Sequence, residues 1–118
     1  RGIIFLGGER DADNSVAKAT FVAAYSGLLS QFRAESGDPS MQMFSLSIDN
    51  STDAGLDSSY ANIRQGIIDS CAATDGMHLV MPFQDFDGSG MLVDSVHWNQ
   101  TAQNSAGVIA ATNIAALL

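Results

Sequence analysis

The chain alternates short apolar runs with longer stretches of helical periodicity, and that order constrains the fold more than any other feature. Gly2–Leu6 is a continuous apolar run, the pattern of a strand buried on both faces, as in a parallel sheet. Phe21, Tyr25, Leu28, Leu29 and Phe32 recur at helical spacing, which predicts an amphipathic helix over roughly Ser15–Glu35, stopped by Gly37-Asp38-Pro39. Met41–Ile48 alternates, with Phe44, Leu46 and Ile48 on one side, and reads as a second strand. Tyr60, Ile63, Ile67, Ile68 and Cys71 mark the buried face of a second helix that starts at Asp57 or Ser58 and ends at Ala73. Thr74-Asp75-Gly76 turns the chain into a third strand, Met77–Met81.

The connections complete the pattern. Gly7–Asn14 reads as a polar loop in which Asp13 or Asn14 caps the first helix. Pro82–Val93 is a long loop containing Asp85, Asp87 and Gly88-Ser89-Gly90, which reads as a solvated turn. Asn99 or Thr101 can cap a final helix, with Val108, Ile109, Ala111, Thr112, Ala115 and Leu118 facing a core. The order β-α-β-α-β-loop-α predicts an α/β chain with helices packed on a parallel sheet. Ligands in such folds bind beyond the carboxyl ends of the strands. That edge brings Gly7-Gly8-Glu9 and Asp94–Asn99 together, although they lie far apart in sequence. A sheet this thin, opened by a buried-type strand, predicts that residues 1–118 form the C-terminal portion of one domain whose upstream strands lie outside them.

Charge and cysteine content remove several function classes. The formal net charge is -8 with only 5 Lys and Arg, whereas phosphate backbones are bound by clustered basic side chains. Nucleic acid and anionic membrane surfaces are therefore not expected partners. No apolar run is long enough to span a membrane. The single Cys71 cannot form an internal disulfide, and it reads as a buried structural thiol within a helix. One Cys and 2 His give no metal pattern. His78 reads as a satisfied strand histidine, and Gly7-Gly8 lacks the third glycine of a dinucleotide fingerprint.

The residues that can carry chemistry are in Asp94-Ser95-Val96-His97-Trp98-Asn99, directly before the last helix. An imidazole there can act as a general base, with the carboxylate fixing its tautomer and stabilising its charged form. The same spacing also describes a loop histidine bonded to a turn aspartate. Trp98 is either the lip of a pocket or a surface aromatic packed on the last helix.

Asp-x-x-His just before a C-terminal helix resembles the last conserved block of the SGNH (GDSL-type) hydrolases, serine esterases with a three-layer α/β/α flavodoxin-like fold. The resemblance spans nearly the whole chain. Gly7-Gly8-Glu9-Arg10-Asp11-Ala12 after a strand is similar to the Gln-Gly-Glu-Ser-Asp-Ala segment of the sialate O-acetylesterase-like branch, which are carbohydrate acetylesterases. Tyr25 with Leu28, Leu29 and Arg33 is similar to a helix of that branch, and Ile63-Arg64-Gln65 to another. The blocks are short, and they stand in the family's order.

The resemblance implies roles residue by residue. His97 is the general base and then general acid, and Asp94 orients it. Gly8 offers a backbone N–H near the oxyanion, Glu9 holds the loop or assists by hydrogen bonding, and Trp98 lines the pocket mouth. No metal or organic cofactor is needed, the substrate is an acetylated carbohydrate, and the setting is extracellular or at a surface, viral surfaces included. The chain departs from the pattern in three places. The family's Gln, a donor to the oxyanion, falls on Gly7, which has only its backbone to offer. The family's Ser falls on Arg10. The family's nucleophile lies in a Gly-Asp-Ser block upstream of everything seen here, and Asp87-Gly88-Ser89-Gly90 has similar residues in the wrong order and place. The expectation is therefore two-thirds of a triad, with the serine outside the chain in the missing N-terminal half of the domain. The alternative is a non-catalytic, glycan-binding or structural domain of the same fold in a larger assembly.

Overall fold

A computed structural model describes residues 1–118. Three parallel strands, β1 (Gly2–Leu6), β2 (Gln42–Leu46) and β3 (Met77–Met81), lie side by side in the order β1-β2-β3. Gly2 pairs with Gln42 and Leu6 with Leu46; Met43 pairs with Met77, and an irregularity follows Ser45. The helices are α1 (Glu9–Asp13), α2 (Lys18–Ser36), α3 (Asp57–Ala73), preceded by a short 3₁₀ turn, and α4 (Gln100–Leu117). The protein is thus a mixed α/β chain with a parallel sheet, as its alternating pattern predicts.

Two cores sandwich the sheet. On one side Phe21, Tyr25 and Leu29 of α2 and Ile63 and Ile67 of α3 close over Met43 and Met77. On the other side Ala102, Ala106 and Ala110 of α4 close over Phe44, Leu46 and Val80. Successive steps across the sheet in one direction put α2 and α3 on the same face, because parallel crossovers keep one hand. Ile63 and Ile67 are completely buried, and full burial of each such side chain is worth about 1.5–3 kcal/mol. The two helices touch closely where Gly66 passes Phe21; a Cβ there would lie 2.8 Å from the ring. No helix is long and apolar enough to cross a membrane.

Several expectations need correction. β1 is not buried on both faces. It is an edge strand, with Ile4 63% and Leu6 40% exposed. Glu9–Asp13 is a helix and not a loop. Asn14 closes that helix by donating its side-chain amide to the Arg10 carbonyl, so neither Asp13 nor Asn14 caps α2, which starts at Lys18 with Ala17 before it. β2 ends at Leu46 after a register irregularity at Ser45/Leu46, and Ile48 packs in the opposite core from Phe44 and Leu46. Ile68 is exposed on α3. α4 presents Ala102, Ala106 and Ala110 to the sheet and leaves Val108, Ala111, Thr112, Ala115 and Leu118 outside; of the expected set only Ile109 packs inward. Alanines allow close approach to the sheet, and a helix apolar nearly all round does not announce its buried face. Cys71 is half-buried and free, and burial raises its thiol pKa. His78 is not satisfied: it stacks on Phe44 with ring centroids 5.6 Å apart, and its Nε2 has no partner.

Candidate active site

The loop after β3 folds back on itself to present His97. The Met91 N–H donates to the Phe86 carbonyl, and the Asn99 N–H to the Met91 carbonyl, each at 2.8 Å. Leu92 bridges Trp98 in antiparallel fashion, and the Val93 N–H donates to the His97 carbonyl at 2.8 Å. Residues 91–99 therefore form a small hairpin with Asp94, Ser95 and Val96 at its tip. The Asn99 side chain then accepts the Ala102 N–H at 3.0 Å and starts α4. Of the two expected caps, Asn99 is the one used.

Within the tip, Asp94 has a double role. Its Oδ1 accepts the backbone N–H groups of Val96 at 2.9 Å and His97 at 2.8 Å. Its Oδ2 lies 2.7 Å from His97 Nδ1. These two amides, and then the imidazole, pull the Asp94 carboxyl down to about 2. The hydrogen bond and charge of Asp94, helped at longer range by Glu9, push the His97 pKa above its ordinary value. With Nδ1 held by the carboxylate, Nε2 is the ring nitrogen left for a reacting group. An imidazole held in this way has the geometry that general acid–base chemistry requires. Both side chains are open to solvent, His97 75% and Asp94 53% exposed.

His97 opens into a cleft of about 240 Å³ lined by Leu6, Glu9, Val96, Trp98 and Gln103. A second recess beside it adds Arg10 and Asp13 to Glu9, Val96 and His97. Trp98 is half-buried, edge-on to Phe86 with centroids 5.2 Å apart. It packs on Phe86 of the loop after β3 and also lines the cleft. Glu9 is carried by α1, which α3 anchors from beneath. Ser59 Oγ donates to the Ala12 carbonyl at 2.6 Å, and the buried Tyr60 donates its hydroxyl to Asp13 Oδ1 at 2.8 Å.

The structure brings Glu9, His97 and Trp98 together in one cleft, and Gly7 and Gly8 are not among its lining residues. These glycines line a separate apolar cavity of about 140 Å³ with Phe5, Tyr25 and Leu28. Gly8 sits at φ 126° at the start of α1, and a Cβ there would lie 2.8 Å from Ile63. Its glycine is needed for the turn and for close packing on α3. Sequence reasoning missed Leu6, Val96 and Gln103 as walls of the cleft. Leu6 ends β1 on the face left open beside α4, a signal that strand alternation holds only once the edge is known. No Ser, Thr or Cys lines either recess beside His97. Ser89 instead donates to the Asp85 carbonyl at 2.9 Å, closing the expected turn. No group of three or more His, Cys, Asp and Glu is placed to hold a metal ion.

The fold and site thus define an α/β protein with an exposed imidazole–carboxylate pair at the carboxyl edge of a parallel sheet. Comparison of the chain with models of known protein families, with curated proteins and with solved structures finds no match.

Proposed function

We propose that this chain carries the acid–base part of a serine esterase site of the SGNH type, acting on O-acetyl esters of carbohydrates, with the nucleophilic serine supplied from outside these residues. The observation that carries the reading is the 2.7 Å contact of Asp94 with His97 Nδ1, at the mouth of a cleft walled by Trp98 and Glu9. His97 Nε2 would take the serine proton as Oγ attacks the acetyl carbonyl, then return it to the departing sugar oxygen. Water would release acetate from the acyl-enzyme by the same route in reverse. Trp98 offers an apolar face to a sugar ring, and no metal or organic cofactor enters the scheme. The free edge of β1, with Ile4 and Leu6 uncovered, supports a docking place for the N-terminal half of the domain. A serine at the end of a strand added there would stand on the His97 side of the sheet edge.

A second reading is favoured by the lack of any hydroxyl or thiol among the residues that line the two recesses at His97: a non-catalytic domain of this fold that holds glycans against Trp98 or serves assembly. A serine-directed fluorophosphonate separates the two. The complete protein should be labelled on a serine outside residues 1–118, and the His97→Ala variant should lose that labelling. An unlabelled complete protein that still binds glycans would favour the second reading.

A further inference from the structure

Asp49 is buried, at 3% exposure, in the loop just after β2. Its neighbours account for a carboxylate there. Oδ1 accepts the Asn50 N–H at 2.8 Å, and Oδ2 accepts the Asp87 N–H at 3.0 Å, reaching across to the loop after β3. The charged groups facing it are Arg64 of α3 and Asp85 of that second loop. Arg64 holds the near side: its Nη1 donates to Asn50 Oδ1 at 2.6 Å, and its guanidinium lies 4.4 Å above the Phe83 ring. Three residues on, the Thr52 N–H donates to the Ser95 carbonyl at 3.0 Å. Ser95 is in the hairpin tip, between Asp94 and His97. The post-β2 loop therefore grips the His97 loop twice, at its base through Asp49 and at its tip through Thr52. Between the two grips run Phe86, which packs on Trp98, and the Phe86–Met91–Asn99 hydrogen bonds.

We propose that Asp49 is a positioning residue for His97: its carboxylate, held by the Asn50 and Asp87 amides, locks the loop after β2, whose backbone Arg64 braces, to the loop that carries the Asp94–His97 pair, so that the two move as one piece. A buried carboxylate is a costly way to join two loops unless both oxygens are engaged. Here both are, and the bonds run to backbone amides, which only an acceptor can satisfy. An amide side chain at this place would turn one donor toward a donor. Burial, opposed by these amides, raises the Asp49 pKa, so acid would release the grip before it affects an exposed carboxylate. The catalytic meaning of the lock rests on the esterase reading, but the lock itself does not.

The experiment is NMR on the chain, wild type and Asp49→Asn. In the wild type, the Asp49 carboxyl should titrate above its ordinary value, and the Asn50 and Asp87 amides should shift with the same midpoint. In Asp49→Asn, exchange of the Asp87 and Thr52 amides should quicken by about tenfold or more. The His97 pKa should fall toward that of a free imidazole, while core amides such as those of Met43 and Ile67 keep their protection. A His97 pKa and a Thr52 exchange rate unchanged in a folded Asp49→Asn would overturn the proposal. So would wild-type Asn50 and Asp87 amides that ignore the Asp49 titration, a test that stands even if the variant does not fold. Coupled shifts in a complete protein without hydrolase activity would sink the esterase reading alone.

Discussion

At the residue scale the pairing of Asp94 with His97 has a definite pH signature. Asp94 is held near 2 by two amides and the imidazole, so its contribution to the folded state is full above the ordinary carboxylate range and is lost as pH falls toward about 2. His97 is shifted the other way. The charged pair contributes fully below the unfolded imidazole pKa of about 6.5 and is lost as pH rises through the raised folded value. The pair is therefore strongest between about pH 4 and 6.5. A general base must be neutral, so any activity through His97 rises with pH only above about 6.5. Replacing Asp94 by Asn should bring the His97 midpoint, followed by its ring-proton shifts, back toward about 6.5. An unshifted midpoint in that variant would mean that Asp94 does not hold the imidazole. Much of this pair is legible in the sequence, because an i,i+3 spacing in a turn brings two short side chains together. The backbone amides that Asp94 also accepts are not legible there, since they depend on the hairpin closed by Leu92 and Trp98.

At the scale of elements, strands and helices are legible where apolar periodicity is strong, and faces are not. Met77–Met81 and Asp57–Ala73 stand where their patterns put them. α1 is hidden because Glu9–Asp13 is polar, with only Ala12 buried, and is stabilised by Ser59 and Tyr60 reaching from α3 rather than by its own composition. The face of α4 is hidden because alanines, not the larger Val108 and Leu118, pack on the sheet. The β1 edge is hidden because an apolar run looks the same whether one neighbour strand is present or two. Gly8 joins these elements: it ends the turn after β1, starts α1 and abuts Ile63 on α3. Gly8→Ala should cost about 1–3 kcal/mol from backbone strain, plus whatever the Ile63 contact adds. Denaturant unfolding measures it, and a loss below about 0.5 kcal/mol would show that the turn tolerates a side chain.

For the whole molecule, the sheet separates two cores and its carboxyl edge collects the groups with chemical potential. α1 brings Glu9, β1 brings Leu6 and the braced hairpin brings His97 and Trp98, so residues distant in sequence meet in one cleft. The alternation of strands and helices, together with the fixed hand of parallel crossovers, makes that meeting legible in the sequence. The sequence holds no Gly-Asp-Ser segment, and no serine lines the recesses beside His97. If His97 is the base of an esterase completed from outside this chain, hydrolysis of p-nitrophenyl acetate by the complete protein and by its His97→Ala variant shows it most directly. The complete protein should turn over, the variant should lose about 10³-fold or more, and residues 1–118 alone should show no turnover above background. Equal rates for the complete protein and His97→Ala would contradict the role of His97 as base.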